Sequence, residues 1–400
     1  MTRSFRPFAC ALALGLLAAA SAPAPDYLPG SRVVPHYARV RPPFRLSVVG
    51  PGAIDGGAYV APNVDVATTA TVIAAGSAGV DVADLHVVPA PAATRAVIAV
   101  ATYDGGIVLH DPATFAILGT LATGGAPSDV AIARDGTIAA PDTSGTSIVR
   151  VARDPWAVTR IDDVPLGNEI VADDATGAFF VSDRDVGGSG ALTRVAADGT
   201  VTRVVTGATA EGLALDAARA IVYVGNVNDG TVLAVDARSM KPIRRIPAVP
   251  RVFGIALSPD GGTLYAVANQ SLQARMLAKA GYVAAISLGA TPARARRSAT
   301  IPFPLGVALD AADRRIFVTD EGADAIDVLD ATTLRAVHAP LSTCRTPWKP
   351  TFDAASGRLY VPCARADRVD VIDGRTLRRV AGAPFATGGY PLGVAVSQRG

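Results

Sequence analysis

The chain has 400 residues, 50% of them hydrophobic and 18% charged, so a large apolar core is available. Ala, Gly and Val outweigh the Lys, Glu and Met that long surface helices use. Removing a leader that carries Arg3 and Arg6 would leave 35 basic residues (37 − 2) against 35 acidic ones. A neutral chain has no footprint for phosphate backbones, which argues against nucleic acid as a partner.

The chain opens MTRSFRPFACALALGLLAAASAPAP: two arginines, an apolar run from about Phe8, then small residues. Ala20-Ser21-Ala22 fits an A-x-A cleavage site, with Ala22-Pro23-Ala24 as the alternative, so 1–22 reads as a signal peptide. The apolar run is short for a membrane span and nothing later resembles one. Pro7-Phe8-Ala9 makes a poor lipobox before Cys10. The expectation is an exported periplasmic or secreted protein, monomeric, with 23–43 irregular and 44–400 forming a single domain with no transmembrane segment.

Repetition organises the rest. Near the mature N-terminus, IDGGAYVAPNVDVATTATVIAAG resembles the later strands, and Asp55-Gly56-Gly57 matches Asp260-Gly261-Gly262. Weak repeat copies begin near Asp84, Ser128 and Leu166, and stronger ones at Thr209, Val252, Pro304 and Pro347. Each reads as a short apolar strand, a turn, a second strand, a polar loop, a third strand ending in Asp, and a Thr-containing turn into a fourth. The segments are five to seven residues long, rich in Val, Ile, Tyr and Phe, and bounded by turn formers. Such repeats imply an all-β β-propeller of four-stranded blades, because each blade needs neighbours to cover its two apolar faces. Seven units run from about Asp84 to Thr387. The chain then ends PLGVAVSQRG, a copy of the first strand alone. Pairing 391–397 with 44–77 would give an eighth, shared closing blade; the alternative is seven blades with irregular terminal packing. Between the second and third strands of one unit, SLQARMLAKAG predicts a short helix. Ser271 caps it, Leu272, Met276 and Ala280 share a face, and Gly281 stops it.

Leu359-Tyr360-Val361, followed by Val369-Asp370-Val371-Ile372-Asp373 and Thr376, has a counterpart one unit earlier in Ile316-Phe317-Val318 and Val328-Leu329-Asp330. The pattern resembles the YVTN-type β-propeller repeat, from about Asp84 onward and most strongly from Thr209. The resemblance implies the fold. It does not select an activity, since related propellers include enzymes, electron-transfer subunits and binders of DNA or protein. The usual Asn after the second strand stands here as Asn226 and Asn269. It is replaced by Thr102, Asp142, Asp183, Asp320 and Cys363 elsewhere.

Two rings of residues would share the top face. One holds these second-strand ends. The other holds the first-strand starts: Asp129, Asn168 and Glu169, then Glu211, Arg251 and Phe253, then Trp348 and Lys349. Convergent acids and amides around a channel mouth suit a cation or a polar ligand. Glu211, Asn226, Asn269 and Asp320 resemble the metal set of gluconolactonase-type propellers, which would imply Ca²⁺ and a metal-dependent hydrolase of lactones or esters. The plainer reading is that Asp and Asn end strands because they cap turns. Trp348 could stack on a ligand or fill a wedge between blades. No C-x-x-C-H haem site or G-x-S-x-G elbow occurs, and the four histidines lack metal-ligand spacing. After leader removal only Cys344 and Cys363 remain; both should reach the top of one blade, so a disulfide is expected in an oxidising compartment. The leading functional expectation is a binding or scaffold protein of the cell envelope, its ligand a protein or a small polar molecule. The calcium-dependent hydrolase is the alternative.

Overall fold

The computed structural model describes residues 25–37, 40, 43–77, 79–186, 189–269, 281–289 and 295–397. The expected signal peptide and the expected helix at 271–280 lie outside these. Among the described residues the chain forms seven four-stranded antiparallel sheets and two three-stranded ones. In six of the four-stranded sheets the strands follow chain order, as in Ala210–Asp216, Ile221–Asn226, Thr231–Asp236 and Pro242–Pro247. These six, with the sheet completed by the C-terminal strand, are numbered blades 1 to 7 from residue 98.

The first strands of successive blades pack against one another around a closed ring. In order they are Pro391–Val396, Ala131–Ile132, Gly167–Asp173, Ala210–Asp216, Val252–Leu257, Pro304–Asp310 and Thr351–Asp353. The first of these touches both the second and the last. This is a β-propeller, and the all-β architecture read from the repeats stands. Each pair of neighbouring blades shares its own apolar layer. Tyr223, Val232 and Ile246 meet Leu264 and Ile286 between blades 4 and 5, while Val267, Val283, Ile316 and Val318 fill the next interface. The Thr-containing turns are Asx turns: Asp330 Oδ1 accepts the amides of Thr332 and Thr333 and the Thr333 hydroxyl.

The closing strand does not go where the eight-blade alternative put it. Pro391–Val396 pairs with Ile98–Thr102 and completes blade 1. The segment at 44–77 instead contributes Phe44–Val49 and Thr68–Gly76 to a separate sheet, whose third strand is Gly79–Val87. The unit read as beginning near Asp84 is therefore split, because its first strand belongs to this N-terminal sheet. The physical reason is a competing apolar partner. Val72, Ala70, Leu85 and Val87 are buried against Val33 and Tyr59 of the small sheet made by Arg32–Val33, Ala53–Asp55 and Ala58–Val60. Residues 26–32 then run along the outer strand of blade 1, Leu28 N–H donating to Thr120 O and Arg32 N–H to Ala122 O, both at 2.8 Å. That contact covers an edge that would otherwise stay open.

Candidate functional site

Every first strand carries one extra residue at the same place. Pro304 pairs with Asp320 but Val307 with Val318, so three steps on one strand match two on the other. The same offset separates Gly167 from Ile170, Ala210 from Leu213, Val252 from Ile255, and Pro391 from Val394. It recurs between the Pro127–Asp142 and Pro347–Cys363 bridges and the ladders that follow them. Each is a β-bulge, which leaves residues out of the ladder and re-aims their side chains: two in most blades, and Leu392 alone in blade 1, where Gly393 still pairs with Ala101. The bulged pairs are Ser128-Asp129, Asn168-Glu169, Glu211-Gly212, Phe253-Gly254, Leu305-Gly306, Trp348-Lys349 and Leu392-Gly393. Residues from six of these seven pairs line one pocket at the channel mouth, with an open volume of about 20 Å³. That is room for roughly one water molecule.

At the second bulge position four blades carry glycine and three carry charge: Asp129, Glu169 and Lys349. The glycines let the inner strands approach closely. A Cβ on Gly306 would lie 2.4 Å from Pro350 Cδ and 3.0 Å from Lys349 Cα; one on Gly393 would lie 2.3 Å from Asp129 Oδ1. The three charged side chains occupy the space that remains. Lys349 Nζ lies 2.5 Å from Asp129 Oδ2 and 3.2 Å from Glu169 Oε2. Asp129 Oδ2 also accepts the Ile170 amide at 3.1 Å, and Glu169 Oε2 the Leu213 amide at 3.0 Å. Glu211, 3% exposed, receives Arg184 on both oxygens, with Nε to Oε2 at 2.7 Å. These are charge-assisted bonds in fork geometry.

The cluster thus holds three carboxylates and two cations, and it is neutral when one carboxyl is protonated. That carboxyl is Glu169. Burial pushes its pKa up to about 7; Lys349 opposes the rise, while Asp129 and Glu211 reinforce it. Burial works against the charge on Lys349, yet Asp129 and Glu169 hold its pKa above the ordinary lysine value. Arg184 behaves likewise beside Glu211.

Of the residues singled out in the sequence, Asp129, Asn168, Glu169, Glu211, Phe253, Trp348 and Lys349 line this pocket. Arg251 lies outside the lining, at the entry to blade 5, with φ of 55°. Asn226, Asn269 and Asp320 also lie outside it, at buried second-strand ends. There Asp320 Oδ1 accepts the amides of Phe303 and Gly322, and Asp142 Oδ1 those of Ala126 and Ser144. These acids tie the incoming crossover to the second strand. Two of the four residues expected to hold calcium have donors of this chain on their oxygens. Glu211 gives both of its own to Arg184, and Asp320 Oδ1 is held by two backbone amides. Arg184 was not read from the sequence, since it follows the repeat's last legible position and has no counterpart of its type in other blades.

Cys344 and Cys363 form a disulfide, with Cα atoms 5.6 Å apart. It joins the crossover entering blade 7 to the end of that blade's second strand. Beside it, Ala364 N–H donates to Thr346 O and Trp348 N–H to Pro362 O, at 3.1 and 2.9 Å. The bridge therefore braces the segment that presents Trp348 and Lys349.

No protein-family model matches the chain, and no curated protein matches its sequence. Solved structures do resemble its fold. A putative 6-phosphogluconolactonase from Bacteroides uniformis superposes with a TM-score of 0.57 at 12% identity, covering 76% of this chain and 99% of that one. A protein from Lactobacillus plantarum gives 0.60 at 15% identity, over 76% and 99%. Hydrazine synthase from Kuenenia stuttgartiensis gives 0.58 at 13%, over 78% and 93%. Identities this low bear on the fold alone.

Proposed function

We propose that the chain is an exported propeller of the YVTN-repeat kind that acts in the cell envelope as a binding or scaffold protein, with the ring of bulges at the channel mouth as its recognition face. The observation that carries this reading is the pairing of the mouth's carboxylates with Lys349 and Arg184. A plug of paired charge, flanked by Trp348 and Phe253, is a pre-organised polar surface rather than an open reaction chamber. An aromatic side chain beside fixed charges suits recognition of a partner's polar group. The disulfide supports export, because such bridges persist in oxidising compartments. The calcium-dependent hydrolase draws less support, since Glu211 and Asp320 are already engaged by donors of this chain.

Photo-crosslinking in the exporting cell tests the reading. A photoreactive residue at Trp348 should give a discrete adduct, and one at Arg375, in a turn at the opposite end of blade 7, should not. Equal labelling from both positions, or Ca²⁺-dependent lactone turnover that Glu211→Gln abolishes, would overturn it.

A further inference from the structure

A larger cavity lies away from the channel mouth. It lies at the outer rim between blades 1 and 2, roofed by the N-terminal segment, and has a volume of about 460 Å³. That is within the usual range for small-molecule sites. Its walls are apolar: Leu121 from the outer strand of blade 1, Val149 and Val158 from blade 2, and Val60 from the small N-terminal sheet. Its rim carries two guanidinium groups, Arg32 and Arg160, on either side of Gly124. A Cβ on Gly124 would lie 3.5 Å from Arg32 Cβ and 3.6 Å from Arg160 Nη2.

The two arginines are not equivalent. Arg32 is neutralised by Asp55 at 2.7 Å. Arg160 donates only to neutral oxygens, the Ser147 hydroxyl and the Thr123 carbonyl. Among the described residues no carboxylate pairs with it, so its charge is uncompensated at the mouth of an apolar crevice. The roof is a fixed part of the fold. Gly30 N–H donates to Ala61 O at 2.8 Å, and Trp156 Nε1 donates to Pro29 O at 3.0 Å. Gly30, at φ of 80°, sits against blade 2 so closely that a Cβ would fall 2.5 Å from Val158 Cγ2.

We propose that this crevice binds an amphiphilic carboxylate, with its aliphatic chain among Leu121, Val149 and Val158 and its head on Arg160. An apolar cavity excludes water and favours the chain in proportion to the area buried. A planar guanidinium with free donors matches a carboxylate in geometry as well as charge. The proposal is independent of the channel mouth.

Calorimetric titration of the exported protein with dodecanoate below its micellar concentration tests it. Saturable binding at one site is expected. Arg160→Gln should weaken it about tenfold or more, as loss of a charge-assisted hydrogen bond dictates, and Arg160→Lys should restore part of it. Val158→Thr, which keeps the shape of this wall but makes it polar, should weaken binding. Trp348→Ala should leave binding unchanged. Absence of saturable binding, affinity indifferent to Arg160→Gln, or equal binding of dodecyltrimethylammonium would each overturn the proposal.

Discussion

Lys349 and Asp129 meet at 2.5 Å although 220 positions of chain separate them. They belong to blades 7 and 2, and blade 1 stands between. The lysine reaches across that blade at Gly393, where any side chain would strike Asp129. The contact therefore braces the ring at its seam, where the first and last parts of the propeller join.

Lys349→Met should destabilise the fold by about 3 kcal/mol, because it strands buried carboxylates without a cation. Urea unfolding of the single variant, set against Lys349→Met/Glu169→Gln, checks this. The double variant should recover part of the loss, and strictly additive costs would contradict the network.

The contribution of Glu169 to stability should fall as pH rises from about 4 to about 7 and then level off, while His110, lowered to about 4 by burial, opposes it between about 4 and 6.5. The unfolded chain releases the Glu169 proton near pH 4.3, whereas the folded chain holds it to about 7. Between these values the native state binds more protons, so the slope is negative. Asp183, raised to about 6 by burial, acts in the same direction, as does Asp327, raised to about 6 by burial and by Asp320. The difference between wild type and Glu169→Gln, followed by thermal unfolding across this window, isolates the glutamate. Parallel curves would remove it as the titrating group.

The strands were legible because their period of two and their turn residues recur in register, as in Ile316-Phe317-Val318 and Leu359-Tyr360-Val361. The first-strand starts were legible for the same reason, and they led to Asp129, Glu169 and Lys349. Which strand pairs with which was less legible at the seam. Gly79–Val87 has the alternation of any blade strand, and its partner is decided by a distant apolar contact with Tyr59 and Val33. The bulges leave only a partial composition signal, a glycine at four of the seven second positions. Their role emerges only when the glycines at 212, 254, 306 and 393 are seen to share one ring with three charges. Asp320 and Asp142 show how ambiguous residue type is: a carboxylate that suits a cation also suits a turn, and sequence alone cannot say that backbone amides reach it.

Replacing Cys344 and Cys363 by serine should cost about 3 kcal/mol, in proportion to the entropy a loop of this length recovers when unfolded. Thiol titration of the exported, denatured and unreduced protein should find neither cysteine reactive. Two reactive thiols would contradict the bridge.

Gly393→Ala should destabilise by about 1–3 kcal/mol, the usual cost of overpacking a well-filled site. The methyl group displaces Asp129 and weakens its bond to Lys349. Gly357→Ala offers a contrast, since a Cβ there meets nothing within 4 Å although its φ is 66°. Chemical denaturation of both variants separates crowding from backbone strain, and equal losses would show that crowding at 393 is not the cause.

Ile98 pairs with Val396, 298 positions later (396 − 98). During synthesis or after transport, the strand at Ile98–Thr102 must therefore wait, with its inner edge bare, until nearly the whole chain has been delivered. Loop-closure entropy makes so distant a pairing slow relative to the hairpins inside each blade. Six blades can assemble locally while the seventh remains an open acceptor for any extended segment that arrives first. The seam is thus the point at which two copies could exchange terminal strands, and the stage of folding most exposed to aggregation.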